Sequence, residues 1–403
     1  MYNKKLMHSA QTYEMTGLSS DTKHFVFITF GFHPPWNEGS INIIREIIEE
    51  LLTIGNKVYI ISIKRLVPKS HYINNYKGAP IYYLSPPLLF SKLIRYELKL
   101  TRFVKFLLDL YYLIRVCIIL RCYRITADMV FLSNVSYSLF APLLKYIFRY
   151  KIVPILYKPS LFKFMNLDRF FDAYVCIARK TMELMYKLGI RREKLFSHLP
   201  LPLTRMEKNV NKEDARRILK LPVTSTIITY LGSLTEKRLP RDFLQAYNLQ
   251  ENNDTILLII APKTISSYSY LSRNRDLWKK NSKIIVRVQN LTEEEKSLVL
   301  YATDFIIFPY VSGEIAVVEP PYTLLEAISK GCIPIVTRSC LMDEIILNKI
   351  NGVIVENPVE VMHSIKTISS DDVRVMKDYL KRFAENRFLG TPLIDVIIYV
   401  ISN

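Results

Sequence analysis

The sequence predicts an α/β protein with two Rossmann-like domains in tandem, whose parallel sheets face each other across a cleft. Short apolar runs of strand length alternate along the chain with segments of helical periodicity. This alternation stops at a proline-rich stretch, HLPLPLTRMEK (198–208), which reads as a linker, and then starts again. The chain has 403 residues, half of them hydrophobic, which is enough to bury two cores.

The first half opens with a βαβ unit. HFVFITF (24–30) is an apolar run, and the turn-rich loop GFHPPWNEGS (31–40) follows it. INIIREIIEELLTIGN (41–56) has apolar residues at helical spacing and a glycine stop, and KVYIISI (57–63) is a second β-rich run. Further buried strands are predicted at MVFL (129–132), KIVPIL (151–156) and AYVCIA (173–178). The first domain is therefore expected to be a doubly wound parallel sheet.

The second half repeats this pattern with six predicted strands. They are TIITYLGS (226–233), TILLIIAP (255–262), KIIVRV (283–288), TDFIIFP (303–309), CIPIV (332–336) and GVIV (352–355). Helical segments separate them, and the last thirty or so residues are expected to be mainly helical.

The net charge of +18 is uneven along the chain. Residues 1–200 carry a net charge of +16, whereas residues 201–403 carry only +2. The basic half is expected to face an anionic partner, such as a phospholipid surface, a nucleic acid or a phosphorylated acceptor.

The cysteines and the apolar runs bear on the compartment. The five cysteines, at 117, 122, 176, 332 and 340, form no CxxC pair and have no histidine at metal-ligand spacing. The N-terminus lacks the apolar core of a signal peptide, and no run of eighteen uncharged apolar residues occurs. We therefore expect a cytoplasmic protein without a structural zinc site.

Two carboxylates surround a Pro-Pro turn in EPPYTLLEAISKG (319–331). Thr323 and Glu326 fit the S/T-x-x-E capping box, so one interpretation is that Glu326 only caps a helix. The other uses the same geometry for binding. A helix that opens at the carboxyl end of strand 303–309 presents unpaired N–H groups to an anion, and carboxylates beside it can accept hydrogen bonds from sugar hydroxyls.

The longer stretch 301–357 resembles the donor-binding region of family 4 of the retaining glycosyltransferases, which have the GT-B fold. The matching parts are FIIFP, then Glu319, PPYTLLEAISKG, IPIVT and DEII, in that order. The resemblance extends more loosely over most of residues 24–360. It implies a nucleotide-diphosphate-sugar donor, with UDP- or GDP-hexose as examples.

The family's two glutamates can be placed on this sequence. The resemblance implies that Glu326 holds the ribose hydroxyls and that Glu319 contacts the transferred sugar. The usual spacing has seven residues between the acids, whereas six separate these two, and Val318 stands at the usual position. Glu314 is an alternative for the first acid. Thr323 and Leu324, at the start of the helix, are also expected beside the donor.

Two other loops carry family features. In YLGSLTEKRLPRDFLQAY (230–247), the resemblance implies that Gly232 allows close approach of the backbone and that Lys237 or Arg238 meets the donor diphosphate. Arg238 lies at the common distance from the glycine, but the arginine that often follows the glycine is Ser233 here. Two solvated loop charges are the alternative.

The loop after the first strand is a weaker signal. Gly39 precedes a helix and is expected to offer backbone donors to a phosphate, although Glu38 stands where the family often has a second glycine. His33 in this loop is either a polar contact or, as is more common for a histidine in a loop, solvated. Neither LSNVSYS (132–138) nor LYKPS (156–160) contains the histidine found in some relatives, so we assign no general base. No metal is expected, because cations and helix termini can supply the charge.

The segment 91–124 is basic, apolar and rich in tyrosine. Lys92, Arg95, Lys99 and Arg102 recur at three or four residues and so share one helical face. Such a helix can lie in the interface of an anionic membrane. The alternative is a core helix pair whose lysines reach out to water. No recognition motif supports nucleic acid as a partner.

We therefore predict a glycosyltransferase that moves a sugar to a glycan or lipid-linked acceptor at the cytoplasmic membrane face, with retention. A sugar-nucleotide epimerase or hydrolase of the same fold would turn over without acceptor, and a non-catalytic membrane scaffold would bind no nucleotide. The predicted parts are a flexible N-terminus (1–22), an acceptor- and membrane-facing domain (23–203), a nucleotide-sugar-binding domain (204–380) and a helical segment crossing back to the first domain (381–403).

Overall fold

The computed structural model describes most of the chain, in eleven stretches. They are residues 22–64, without residues 35 and 37, and residues 72–87, 102–133, 137–157, 168–202, 210–249, 254–279, 281–311, 320–338, 342–383 and 388–402. Of the predicted N-terminal segment 1–22, all but the last residue lies outside the described residues, as do Glu314 and Glu319.

The first domain is built on a nine-stranded sheet. Its strands are β1 (His24–Phe30), β2 (Lys57–Ile63), β3 (Asn75–Tyr76), β4 (Ala79–Leu84), β5 (Met129–Leu132), β6 (Lys151–Leu156), β7 (Tyr174–Cys176), β8 (Leu195–Pro200) and β15 (Phe388–Gly390). Their order across the sheet is β15-β8-β7-β6-β5-β1-β2-β4-β3. Pairing is parallel except at the two edges, where β3 and β15 run antiparallel to their neighbours. The predicted doubly wound sheet is confirmed.

Helices cover both faces of this sheet. They are α1 (Gly39–Thr53), α2 (Arg102–Cys122), α3 (Tyr137–Phe148) and α4 (Arg179–Lys187). One face of α2 is buried against the sheet through a row of apolar side chains that includes Leu108, Leu113 and Val116. This burial agrees with the core-helix interpretation of segment 91–124 for that face. Lys92, Arg95 and Lys99 lie outside the described residues.

The second domain has a six-stranded parallel sheet. Its strands are β9 (Thr226–Leu231), β10 (Thr255–Ala261), β11 (Ile284–Val288), β12 (Phe305–Phe308), β13 (Ile333–Thr337) and β14 (Val353–Val355). Their order is β11-β10-β9-β12-β13-β14, so the chain reverses direction across the sheet between β9 and β12. In open α/β sheets, ligands bind at such a reversal, outside the carboxyl ends of the strands.

The helices of the second half connect these strands and close the chain. They are α5 (Lys212–Ile218), α6 (Arg241–Asn248), α7 (Ile265–Arg273), α8 (Arg275–Trp278), α9 (Glu293–Ala302), α10 (Tyr322–Ser329), α11 (Glu360–Thr367), α12 (Ser370–Phe383) and α13 (Leu393–Ser402). All six strands predicted for this half are present, within two residues at each end.

One sequence prediction differs from the structure, and one strand was missed. Residues 198–200 do not belong to a linker, since they complete β8 inside the first sheet. The end of the chain is mainly helical, as predicted, but Phe388–Gly390 also forms β15, which pairs with β8. A three-residue strand has too short a pattern to be read from sequence, and its partner lies almost 190 residues away.

The two domains are packed against each other. One hydrophobic cluster contains Ile44 and Ile48 of α1 together with Leu324 and Ile328 of α10. A Cβ atom added to Gly39 would lie 3.2 Å from the Cβ atom of Tyr322, so the first residues of α1 and α10 almost touch. The cleft between the domains is therefore lined by the N-terminal turns of two helices.

Candidate active site

Helix α10 starts one turn before Glu326 and directly after the Pro-Pro turn. Pro321 is the residue before the first helical position, and it makes no side-chain capping bond. Thr323 is the second residue of the helix and Glu326 the fifth, so the two are too far along to form a capping box. The capping interpretation of Glu326 is therefore wrong for this helix.

Glu326 is instead paired with Lys296, a residue of α9 that we did not predict. The Nζ atom of Lys296 donates to Oε1 of Glu326 at 2.5 Å, and each side chain is 18% exposed. Burial raises the pKa of Glu326 above its ordinary value, and the charge of Lys296 opposes that rise. Within the described part of the chain, no group donates to the second oxygen, Oε2.

This ion pair lies in a pocket between the domains that is open to solvent. Its lining is polar and comes from α1, α9, α10 and the end of the first domain. The lining residues are Arg45, Glu46, Pro202, Glu293, Lys296, Ser297, Leu300, Tyr322, Glu326, Ser329 and Lys330. Of these lining residues, only Glu326 was predicted from the sequence to belong to a site.

Two contacts across the pocket join the domains. Nη1 of Arg45 on α1 donates to Oε1 of Glu293 on α9 at 2.5 Å. The hydroxyl of Tyr322, the first residue of α10, donates to Oε1 of Glu46 on α1 at 2.8 Å. Helix α1 of the first domain is therefore in direct contact with α10, the helix that carries Glu326.

The guanidinium of Arg45 is held from several sides. It donates to the hydroxyl of Tyr76 at 3.1 Å and to Asn42 at 3.0 Å, and its Cζ atom lies 4.5 Å from the ring centre of Trp36. Burial lowers the pKa of Arg45, but attraction by Tyr76 and Glu293 outweighs this effect and raises it. Arg45 is therefore a fixed cation at the mouth of the pocket.

A signal for this cluster is visible in the sequence. Asn42, Arg45 and Glu49 recur at three or four residues along the helix and Glu46 adjoins Arg45, and all four are buried. Buried charges are rare unless they are paired. A row of charges on a helix predicted to be a core element was thus a clue to a polar interface.

The predicted diphosphate loop lies at the carboxyl end of β9. The N–H of Gly232 donates to the carbonyl of Ile260 at 3.1 Å, so this amide belongs to the sheet. The N–H of Val311, just after β12, donates to the carbonyl of Lys237 at 2.9 Å, which brings the loop beside the exit of that strand. Lys237 is exposed and Arg238 is half-buried, and Arg238 has no ion pair among the described residues.

Other predicted site residues have structural partners. The side chain of Leu324 is fully buried in the core, and its N–H donates to the carbonyl of Pro321 at 2.8 Å, so neither group faces a ligand. Thr323 is half-buried on the same turn. Gly39 allows the close contact with Tyr322.

His33 is buried rather than solvated. Its ring centre lies 5.6 Å from that of Tyr72, and its Nδ1 atom lies 2.7 Å from the carbonyl oxygen of Pro34. The loop after β1 folds back on an aromatic cluster, which a local pattern did not predict.

The described residues contain neither a cluster of metal-ligating side chains nor a helix that could span a membrane. No group of three or more His, Cys, Asp or Glu side chains in this part of the chain could hold a metal ion. Among the helices that the structure describes, none combines the length and apolar character needed to cross a membrane.

Comparison with known proteins agrees with this architecture. Residues 211–387 match the family model of glycosyl transferases, group 1. No relative was found among curated proteins. The overall fold resembles several solved glycosyltransferases at low sequence identity.

Three of these structures illustrate the match. HepE of Anabaena in complex with UDP and glucose has 10% identity and a TM-score of 0.66, over 94% of this chain and 98% of that one. A glycosyltransferase of Rickettsia africae has 14% identity and a TM-score of 0.68, over 95% and 97%. The catalytic domain of starch synthase IV of Arabidopsis thaliana, bound to ADP and acarbose, has 11% identity and a TM-score of 0.72, over 95% and 100%.

The chain thus has the GT-B fold, and its second domain carries the group 1 glycosyltransferase match. These findings identify it as a glycosyltransferase. The predicted fold class and the predicted enzyme class are confirmed.

Proposed function

We propose that this glycosyltransferase takes a sugar from a nucleotide-diphosphate donor and transfers it to a glycan or lipid-linked acceptor, with retention, as in family 4. The observation that carries the proposal is the position of Glu326. It lies inside the stretch that matches group 1 glycosyl transferases, on the helix that follows β12, and it lines the pocket between the domains. Carboxylates at such a position accept hydrogen bonds from sugar hydroxyls.

The donor proposal has support from the structural neighbours. HepE was solved with UDP-glucose, and starch synthase IV with ADP. We place the ribose of the donor at Glu326 and its diphosphate between the N-terminus of α10 and Arg238. A helix N-terminus and an arginine both favour phosphate oxygens. Glu319, or Glu314 in its place, is proposed to contact the transferred sugar.

We assign no general base and no metal to the reaction. In a retaining transfer on one face of the sugar, the leaving diphosphate can take the proton of the acceptor. The protein then acts by positioning the reactants and by stabilising the charge of the leaving group. Arg238 and Lys237 are the proposed cations for that charge.

For the acceptor side, we propose that the first domain docks on an anionic membrane through α2. The outer face of this helix exposes Phe106, Leu107, Ile114 and Ile118 to solvent, and Arg115 and Arg121 are exposed beside them. Apolar side chains flanked by cations suit the interface of an anionic bilayer. A lipid-linked acceptor would then be presented at the same surface.

Release of nucleoside diphosphate tests the proposal. The purified chain is mixed with a panel of UDP-, GDP- and ADP-sugars, with and without extracted membrane lipids. We expect release that depends on both a donor and a lipid fraction. Release that is equal without any acceptor would favour a hydrolase or epimerase, and no release from a folded chain would contradict the proposal. Nuclear magnetic resonance of the product would show whether the anomeric configuration is retained.

A further inference from the structure

We infer that Lys296 and Glu326 act as one unit that recognises two neighbouring hydroxyls of the donor ribose. One hydroxyl donates to Oε2 of Glu326, and the adjacent hydroxyl accepts from the ammonium of Lys296. This inference rests on the proposed function and adds to it a residue that positions the carboxylate and contacts the donor.

The contacts within the pair support one hydroxyl bound by Glu326 and the other by Lys296. Lys296 donates to Oε1 of Glu326 at 2.5 Å, whereas Oε2 has no hydrogen-bond partner in the described part of the chain. A carboxylate oxygen can accept more than one hydrogen bond, and an ammonium has three N–H groups. The pair therefore offers an acceptor and a donor side by side. A vicinal diol presents the complementary arrangement, since each hydroxyl can donate or accept.

The charge of the pocket favours an uncharged ligand group. Its lining includes three acids and three bases, and the pairs Arg45 with Glu293 and Lys296 with Glu326 are formed within it. The described lining residues therefore leave no net charge to attract a phosphate. Hydroxyl groups fit such a balanced polar surface, so the ribose belongs here and the diphosphate belongs elsewhere, towards Arg238.

The position of Lys296 is set by its helix. A capping box closes the N-terminus of α9, with the Glu295 amide donating to Oγ1 of Thr292 at 3.1 Å and the Thr292 amide donating to Glu295 at 2.8 Å. Glu293, one turn before Lys296, is fixed by Arg45. The ammonium is thus held near Glu326 before a donor arrives, which limits the entropy lost on binding.

Calorimetric titration tests the inference. The nucleoside diphosphate that the wild-type chain binds is compared with its 2′-deoxy and 3′-deoxy analogues, in wild type, Lys296→Met, Lys296→Arg and Glu326→Gln. In wild type we expect each deoxy analogue to bind about tenfold to a hundredfold more weakly, as for loss of one charge-assisted hydrogen bond. Lys296→Met should bind the intact nucleotide more weakly than wild type does, by a similar factor. At least one deoxy analogue should then bind to Lys296→Met as tightly as the intact nucleotide binds to it. Lys296→Arg should keep most of the wild-type preference.

A second ion pair provides the control. Lys145 binds Asp172 at 2.5 Å in the first domain, and its side chain is also mostly buried. Lys145→Met should lower the melting temperature without changing the ratio between ribose and deoxyribose ligands. The inference fails if Lys296→Met is folded, binds the nucleotide and keeps the wild-type ratio. If the wild-type chain binds no nucleoside diphosphate at all, the proposed function itself fails.

Discussion

At the scale of single residues, Glu326 is a largely buried carboxylate that forms an ion pair with Lys296. The carboxylate lies in a pocket where burial favours its neutral form, and Lys296 favours the charged form. Because folding raises its pKa, the charged carboxylate lowers stability at neutral pH, and that penalty shrinks as the pH falls through the raised pKa. A binding role would explain why such a group is retained.

These opposing effects on the pKa of Glu326 predict that the affinity for the donor decreases at acid pH. Protonation of Glu326 removes the acceptor and breaks the pair with Lys296, so affinity should fall as the pH falls. The loss should begin at a higher pH than for an exposed glutamate, since burial raises the pKa. Titrations with nucleoside diphosphate between about pH 4 and 8 check this. The range begins near the ordinary glutamate pKa of about 4.3 and extends well above it. The variant Glu326→Gln should bind weakly at every pH, and an unchanged decrease at acid pH in this variant would assign the effect to another group.

At the scale of secondary-structure elements, the second domain caps a helix of the first domain. Helix α4 of the first domain has no side-chain cap of its own. The carboxylate of Glu344, in the second domain, accepts from the N–H groups of Arg179 at 2.7 Å and of Lys180 at 2.8 Å. Glu344 belongs to the DEII motif, which begins here as a short 3-10 turn rather than a helix.

We expect Glu344→Ala to lower the unfolding free energy by about 1 kcal/mol, the usual effect of removing an N-terminal cap. Asp343 is the matched control, because its ion pair with Lys180 is solvent-exposed and such pairs contribute less, about 0–1 kcal/mol. Denaturant unfolding of both variants checks the difference. A larger loss in Asp343→Asn than in Glu344→Ala would show that the ion pair matters more than the cap.

The crossing strand β15 depends on one glycine. Gly390 has a φ of +97°, and a Cβ atom added to it would lie 2.1 Å from the carbonyl oxygen of Ser197 in β8. The approach of the two backbones leaves no room for a side chain, so the strand pairing requires glycine here.

Gly390→Ala should therefore destabilise the protein by about 2 kcal/mol or more, since both strain and a clash arise. Gly189 separates the two effects, because its φ is +93° but a Cβ atom there would meet nothing within 4 Å. Gly189→Ala should lose only about 1 kcal/mol, from the left-handed conformation. Thermal unfolding of both variants measures the difference between their losses of stability. Equal losses would mean that β15 detaches without affecting the rest of the fold.

At the scale of the whole molecule, charge and exposed apolar surface lie in the same half. Residues 1–200 carry nearly all of the net charge, and the exposed face of α2 belongs to this half. One face of helix α2 is therefore part of the core, whereas the other exposes apolar side chains to solvent.

Membrane binding should depend on that face. Ile114 and Ile118 are 53% and 47% exposed, and changing both to Glu should reduce sedimentation with anionic vesicles by about tenfold or more, through lost apolar burial and lost electrostatic attraction. Ile265 of the second domain, 90% exposed, is the control, and Ile265→Glu should bind as wild type. Binding should also weaken with added salt. Equal binding of both variants to vesicles would exclude α2 as the docking surface.

Much of the fold followed from local patterns. Runs such as MVFL (129–132) and KIVPIL (151–156) are strands with the predicted ends. They are buried on both faces, and continuous apolar runs of that length have few alternatives. Strand β15 was missed because a pairing of three residues is decided by its distant partner and leaves no periodicity.

The candidate site likewise has one part that local sequence patterns predict and another that depends on distant contacts. Glu326 and the helix that carries it could be found from the order of motifs along one stretch, because a strand, a turn and a helix are neighbours in the chain. Its partners Lys296, Arg45 and Tyr322 come from three separate elements. Only the packing of α1 and α9 against α10 brings them together, since side-chain pairing over long sequence separations depends on tertiary contacts. The sequence alone therefore determined the fold class and one acid of the pocket, whereas the tertiary structure decided which charges face that acid and which of its oxygens accepts from Lys296.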